Sequence, residues 1–323
     1  MPAMDGVLII DKPAGLTSHD VVARVRRILG EQRVGHTGTL DPFATGVLVI
    51  LVGRATRLAQ FLSGAEKEYQ AVIRLGYATD TGDLTGTPKG DAQSSTNLHN
   101  EKSVPVPFFT RDEIETALAK LRGEIDQVPP MYSAKKVKGR KLYELARAGE
   151  EIERKPVRIT IHEFEALRNG NELLTRHEDG SADLEVRVVC SAGAYVRTLA
   201  EELGRQLASA AHLVALKRTR AGDFKIENAL SLEELQDRVA GNMLESSLIP
   251  LDAALSGLEF VHLTGADADR VRHGMKVRVE AATNAGWRDS ENVRIRDEDG
   301  NLLAVGVFDG ASETLHPKVV LIT

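Results

Sequence analysis

A single cysteine, Cys190, occurs among 323 residues. No internal disulfide can form, and no Cys-x-x-Cys or His-x-x-His spacing offers a structural zinc site, so no metal is expected. Cys190 ends the strand-like run LEVRVVC, where a buried small hydrophobe is the expected state. Long apolar runs are missing too. The longest, Val47 to Val52, is about a third of the roughly 20 residues that a membrane span requires. The N-terminus, MPAMDGVLIIDKPAG, has an early acid and no basic region before a cleavage site, so the expectation is a cytoplasmic protein. Nor is there an excess of basic charge. A net charge of −6 and a pI near 5.9 exclude a protein that coats nucleic acid by bulk charge and leave room only for a local patch. Gly-x-Ser-x-Gly and Gly-Lys-Ser/Thr are absent, which argues against a serine hydrolase and a phosphate loop. The chain that remains is 42% apolar and 27% charged, ordinary for a globular protein long enough for two domains.

What is present is GHTGTLDPFATG, Gly35 to Gly46, where three glycines, three threonines and a proline surround one acid, Asp41. Asp41 could form a simple Asx-turn before Pro42. Alternatively, the flanking residues hold its carboxylate rigidly at the mouth of a cleft, as a nucleophile or base requires. Sequestered from water, a carboxylate tends to take up a proton, and an arginine within about 4 to 6 Å would keep it ionised. Arg197, in CSAGAYVRT, is a candidate partner. His36 lies too close in sequence to Asp41 to imply a triad by itself.

Around this loop the pattern alternates between helix and strand. Thr17 to Asp20 reads as a capping box, with Val21, Val22, Val25, Ile28 and Leu29 at helical spacing until Gly30. The loop then joins this helix to a buried strand, VLVILV. EYQAVIRLGY alternates as a strand with Tyr69, Ala71 and Ile73 on one side. Thr81 to Thr110 turns polar, and a long mobile insertion is expected there, at about 87–108. Thr110 and Glu113 cap a helix ending at Gly123. MYSAKKVKGRKLY holds five basic residues and no acid, the best electrostatic sign of a polyanion partner. Strands follow in VRITIHEFEAL and DLEVRVVC, then helices in AYVRTLAEELGRQLA and SLEELQDRVAG. Beyond Pro250 the short runs VRVE, VRIR and LLAVGVF, with Asp299-Gly300 as a hairpin signal, form a β-rich module of about 70 residues.

GHTGTLDPFATGVLVI resembles the catalytic-loop signature of the TruB family, the bacterial tRNA pseudouridine-55 synthases. The resemblance extends to DKPAGLTSHDVV, EYQAVIRLGYATDTGDLTG, CSAGAYVRTLAEELG and AHLVALKRTRAGDF, which together span most of residues 6 to 230 in the family's order. It implies an α+β fold. Residues 1–250 would form a catalytic domain with a mixed, largely antiparallel sheet flanked by helices, and 251–323 a small β-barrel PUA-like module, whose acids Asp297, Glu298 and Asp299 argue against a broad RNA contact. It implies that Asp41 is the catalytic aspartate, acting at the ribose C1′ of a uridine flipped out of the tRNA T-loop, position 55. Arg197 would pair with Asp41, and Tyr69 would stack on the target base and take part in catalysis by proton transfer. His36 would contact the flipped nucleotide or fill its vacated place, and Tyr195 and Leu216 would line the pocket. The loop's glycines would let the backbone approach the nucleotide. Lys12, Lys135, Lys136, Lys217 and Arg218 would contact the RNA backbone. The T-arm of tRNA would be the partner of a monomer that needs no cofactor and no protein partner. An RNA-binding protein without catalysis and an N-glycosidase are the competing readings.

Overall fold

The structure, a computed structural model, describes residues 4–89, 106–133, 135–137, 139–150, 152–167, 173–279 and 286–321. The first helix, Ser18–Leu29, begins where the sequence marks it. Thr17 Oγ1 accepts from the Asp20 N–H at 3.1 Å and the Asp20 carboxylate accepts from the Thr17 N–H at 2.8 Å, a cap worth about 1 kcal/mol. Gly30, at φ 65°, ends the helix in the left-handed conformation. Its buried stripe of Val21, Val22, Val25 and Leu29 packs on Leu8, Ile10, Leu48 and Ile50.

Those last four residues explain the continuous apolar runs. Strands Gly6–Lys12 and Thr45–Val52 pair antiparallel, and each is covered on both faces: Val7, Ile9, Val47, Val49 and Leu51 face a second cluster with Ala55, Phe224 and Ala254. A strand buried on both sides has no polar face to alternate. The main sheet continues through Ala211–Ala221, Lys67–Leu75, Ala182–Cys190, Val157–Ala166 and Gly123–Gln127. Along this path every pairing is antiparallel except Thr45–Val52 with Ala211–Ala221, where Lys217 lies opposite Thr45 and Arg218 opposite Gly46. The sheet is therefore mixed and largely antiparallel. Helices Arg111–Ala119 and Val196–Gln206 close one face through Ile114, Leu118, Leu199 and Leu203 against Ile73, Leu75 and Phe164.

Three local expectations are corrected. The stretch before Asp41 is not all loop: Val34–Thr37 forms a strand antiparallel to Thr45–Val52, with His36 opposite Ile50, so Asp41 sits at the end of a β-hairpin. The helix capped by Thr110 stops at Ala119, and Gly123 already opens a strand. The polar stretch from Thr81 is not loose at its start, because Thr81 to Gly86 forms a tight turn around buried Asp83, and Pro88–Lys89 pairs with Ala78–Thr79. Val106 is buried in the core, while 90–105 of the expected insertion lies outside the described residues.

From Phe260 the chain builds a separate five-stranded sheet, ordered Phe260–His262, Asn292–Arg296, Leu302–Asp309, Thr314–Val320, Val277–Arg278, with the Gly265–Arg272 helix against it. It curls into a half-barrel of the PUA-like form. Asn292–Arg296 and Leu302–Asp309 are joined by the expected Asp299-Gly300 turn, with Gly300 at φ 83°. Asp297 is one of the acids thought to repel RNA, yet it is buried in that turn and accepts from the Asn301 N–H at 2.8 Å and from Arg272 at 3.3 Å. Leu302, Val305 and Val319 pack on Leu58 and Leu255, and Arg54 and Arg57 each donate to a carbonyl of the last strand region, Leu321 and Val320, at 2.5 Å.

Candidate active site

The loop after the Val34–Thr37 strand is held by groups from remote parts of the chain. Lys12, fully buried at the end of the first strand, donates from Nζ to the carbonyls of Pro13, Pro42 and Ala44 at 2.9, 3.2 and 2.6 Å. Arg218 donates from Nε to Val47 O at 2.7 Å and from Nη2 to Gly38 O at 2.8 Å. Ser18 Oγ accepts from the Leu40 N–H at 2.9 Å. Gly46, at φ 98°, is obligatory for a different reason than nucleotide approach. A Cβ there would lie 2.2 Å from the Arg218 carbonyl oxygen, so the bare backbone permits the crossing of the two parallel strands.

So fixed, Asp41 meets Arg197, which the Val196–Gln206 helix supplies from its first turn. The pair is bidentate, Nε to Oδ2 at 2.9 Å and Nη2 to Oδ1 at 3.1 Å. Arg197 is itself locked, donating to Thr81 O at 2.9 Å and Tyr132 O at 2.6 Å, with the Asp83 carboxylate 3.9 Å from Nε. Burial pushes the Asp41 carboxyl above the ordinary carboxylate value; Arg197 and Lys12 oppose that rise and Asp83 adds to it. About a third of the Asp41 side chain stays exposed, toward a cleft of about 280 Å³.

Tyr69, Tyr195, Leu216 and Arg218 line this cleft with Asp41 and Arg197, so six residues predicted from sequence converge. Tyr69 is buried on the central strand beside the Arg218 guanidinium, and burial raises its hydroxyl pKa. Tyr195 is held by the Gln127 side chain, whose Oε1 accepts from the Tyr195 N–H at 2.7 Å and whose Nε2 donates to its carbonyl at 3.1 Å. His36 is not among the lining residues. Its ring stands edge-on to His19 with centroids 5.3 Å apart, and burial holds its pKa down to about 4, so it is neutral at pH 7.

The expected RNA contacts fare differently. Lys12 is corrected: it is fully buried with Nζ given to three loop carbonyls and shapes the site from beneath, whereas Arg218, buried and bonded to two loop carbonyls, also reaches the cleft wall beside Tyr69. Lys217 alternates with Leu216 and Arg218 on its strand and is exposed on the face away from the cleft. Lys136 lies in the short hairpin of Lys136–Val137 and Arg140–Lys141, and Lys135 borders a separate surface cavity of about 770 Å³ with Arg140, Arg154 and Lys155.

Sequence reasoning missed Asp83, Gln127 and Lys67. Asp83 had a signal, an acid framed by Gly and Thr in TGDLTG much as Asp41 is framed. Lys67, two residues before Tyr69 and therefore on its face of the strand, lines the cleft and donates to Ser63 O and Ala65 O at 2.9 and 2.5 Å. Burial lowers its pKa to about 8, as it does for Lys12. Around Asp41 four cations, Lys12, Lys67, Arg197 and Arg218, thus face two carboxylates, Asp41 and Asp83. In a chain of net charge −6 this local positive surplus suits a phosphodiester-bearing ligand.

The fold has solved counterparts. The chain aligns over 98% of its length with 85% of a chain in "Crystal Structure of a Cbf5-Nop10-Gar1 Complex", at TM-score 0.72 and 26% identity. It aligns over the same share with 86% of a chain in "Crystal structure of the archaeal box H/ACA sRNP Nop10-Cbf5 complex", at TM-score 0.68 and 25% identity. In sequence, residues 26–196 match the TruB family pseudouridylate synthase N-terminal domain and 197–256 the tRNA pseudouridylate synthase B C-terminal domain. A protein of Bacillus anthracis named tRNA pseudouridine synthase B is 43% identical over 303 residues, covering 94% of this chain and 92% of that protein. One of the same name from Geobacillus thermodenitrificans is 44% identical over 278 residues, covering 86% and 87%. This chain belongs to the TruB family of pseudouridylate synthases.

Proposed function

We propose that the protein converts the uridine at position 55 in the T-loop of tRNA to pseudouridine, with Asp41 acting at the ribose C1′. The observation that carries this reading is the bidentate Asp41–Arg197 pair at a cleft walled by Tyr69, Tyr195 and Leu216. The relatives' shared name, tRNA pseudouridine synthase B, supplies the substrate class. The target uridine leaves the RNA stack, a step that costs a few kcal/mol and that stacking on Tyr69 offsets. With the base in the cleft, the N1 glycosidic bond breaks, the base turns, C5 bonds to C1′ and the C5 proton leaves. Arg197 keeps the Asp41 carboxylate charged and aimed. Residues 1–250 act as the catalytic domain and 251–323 as an RNA-binding module, in a cytoplasmic monomer.

A T-loop transcript tritiated at C5 of uridine tests this. Wild-type protein is expected to release tritium to water and Asp41→Asn to release none, since a new bond at C5 must expel the label. Release from both proteins would take the chemistry away from Asp41, and release from neither would overturn the reading.

A further inference from the structure

Ser133 is only 4% exposed, lines the cleft beside Asp41 and Arg197, and its Oγ is buried without a hydrogen-bond partner among the described residues. Its backbone needs no help from that hydroxyl. The Ser133 N–H donates to Met131 O at 3.0 Å, its carbonyl accepts from the Tyr143 N–H at 3.0 Å, and the preceding carbonyl, Tyr132 O, accepts from Arg197 at 2.6 Å. Main-chain bonds on both sides therefore place a hydroxyl within the site, where leaving it unmade is unfavourable and an alanine would be free of the penalty. An unpartnered buried donor inside a binding cleft marks a group completed by the ligand.

We infer that the Ser133 hydroxyl hydrogen-bonds a carbonyl on the edge of the uracil ring when the target nucleotide enters the cleft, an inference that rests on the activity proposed above. Uracil suits it chemically. Turning the ring over about its N3–C6 axis, as the isomerisation requires, exchanges the places of O2 and O4. A hydroxyl aimed at one carbonyl therefore meets the other after the turn. Ser133 is then a recognition residue that holds the base equally before and after the bond change, so its loss acts on binding and spares the chemical step.

The test compares wild type with Ser133→Ala on two T-arm hairpins, one carrying pseudouridine at the target position, which cannot turn over, and one abasic there. Ser133→Ala is expected to weaken the pseudouridine hairpin about tenfold and to leave the abasic hairpin unchanged. In tritium release its KM should rise by a similar factor with kcat held within about threefold. The free variant should melt at or slightly above the wild-type temperature, because an unsatisfied hydroxyl has been removed. Equal weakening of both hairpins, or of neither, overturns the inference. Failure of the wild type to release tritium counts instead against the activity on which it rests.

Discussion

Asp41 and its neighbours set the pH behaviour. Burial raises the Asp41 pKa, so the ionised form that the proposed role at C1′ calls for is lost at a higher pH than for a free aspartate. The acid limb of kcat/KM should therefore have its midpoint above 3.8, the ordinary value. Lys12 opposes that rise, and Lys12→Met should move the limb further up in pH. On the alkaline side Lys12 and Lys67 both give up their protons near pH 8, which removes positive charge from the cleft. RNA affinity should fall between pH 7 and 9, and a Kd titration of Lys67→Met should show a shallower fall. Arg197→Ala leaves Asp41 and the carbonyls of Thr81 and Tyr132 without their donor. Urea unfolding should report a loss of about 3 kcal/mol.

At the level of elements, the hairpin that presents Asp41 is vulnerable at one atom. Gly46→Ala places a methyl within 2.2 Å of the Arg218 carbonyl at a φ of 98°. The strands must separate, and we expect a loss of about 2–4 kcal/mol in denaturant titrations together with most of the tritium-release activity. That necessity was legible only in part. The glycines announced special geometry, but the residue opposite Gly46 comes from a strand that parallel pairing brings in from far along the chain. Local signals located the Thr17 cap, the Gly30 stop, the alternation of Tyr69, Ala71 and Ile73, and the Asp299-Gly300 turn, because each depends on residues a few positions apart. The Phe260–His262 strand was hidden: three residues parallel to Asn292–Arg296 leave no periodicity to count. Lys12 was misread for a related reason, since a basic residue in sequence carries no mark of whether its donors face solvent or carbonyls.

For the whole molecule, charge is local where it matters. Binding should weaken with salt, and Lys135→Ala, at the surface cavity near Arg140 and Arg154, should reduce the slope of log Kd against log salt by about one. Lys217→Ala, on the other face of the sheet, should leave both slope and kcat/KM unchanged. The PUA-like sheet is joined to the rest by apolar packing around Leu58 and by the arginine contacts at Leu321 and Val320.

The distances along the chain that this site bridges also govern its birth on the ribosome. Asp41 is separated by 156 residues from Arg197, and Gly38 by 180 from Arg218. Domains emerge N-terminal end first at about 5–20 residues per second, so the nascent hairpin waits roughly 8 to 36 seconds for the two arginines that contact it in the folded chain. During that interval the contacts of Arg197 with Asp41 and of Arg218 with Gly38 are not available. Only when the strand bearing Arg218 pairs beside Gly46 can the contacts that fix the hairpin in the folded chain form.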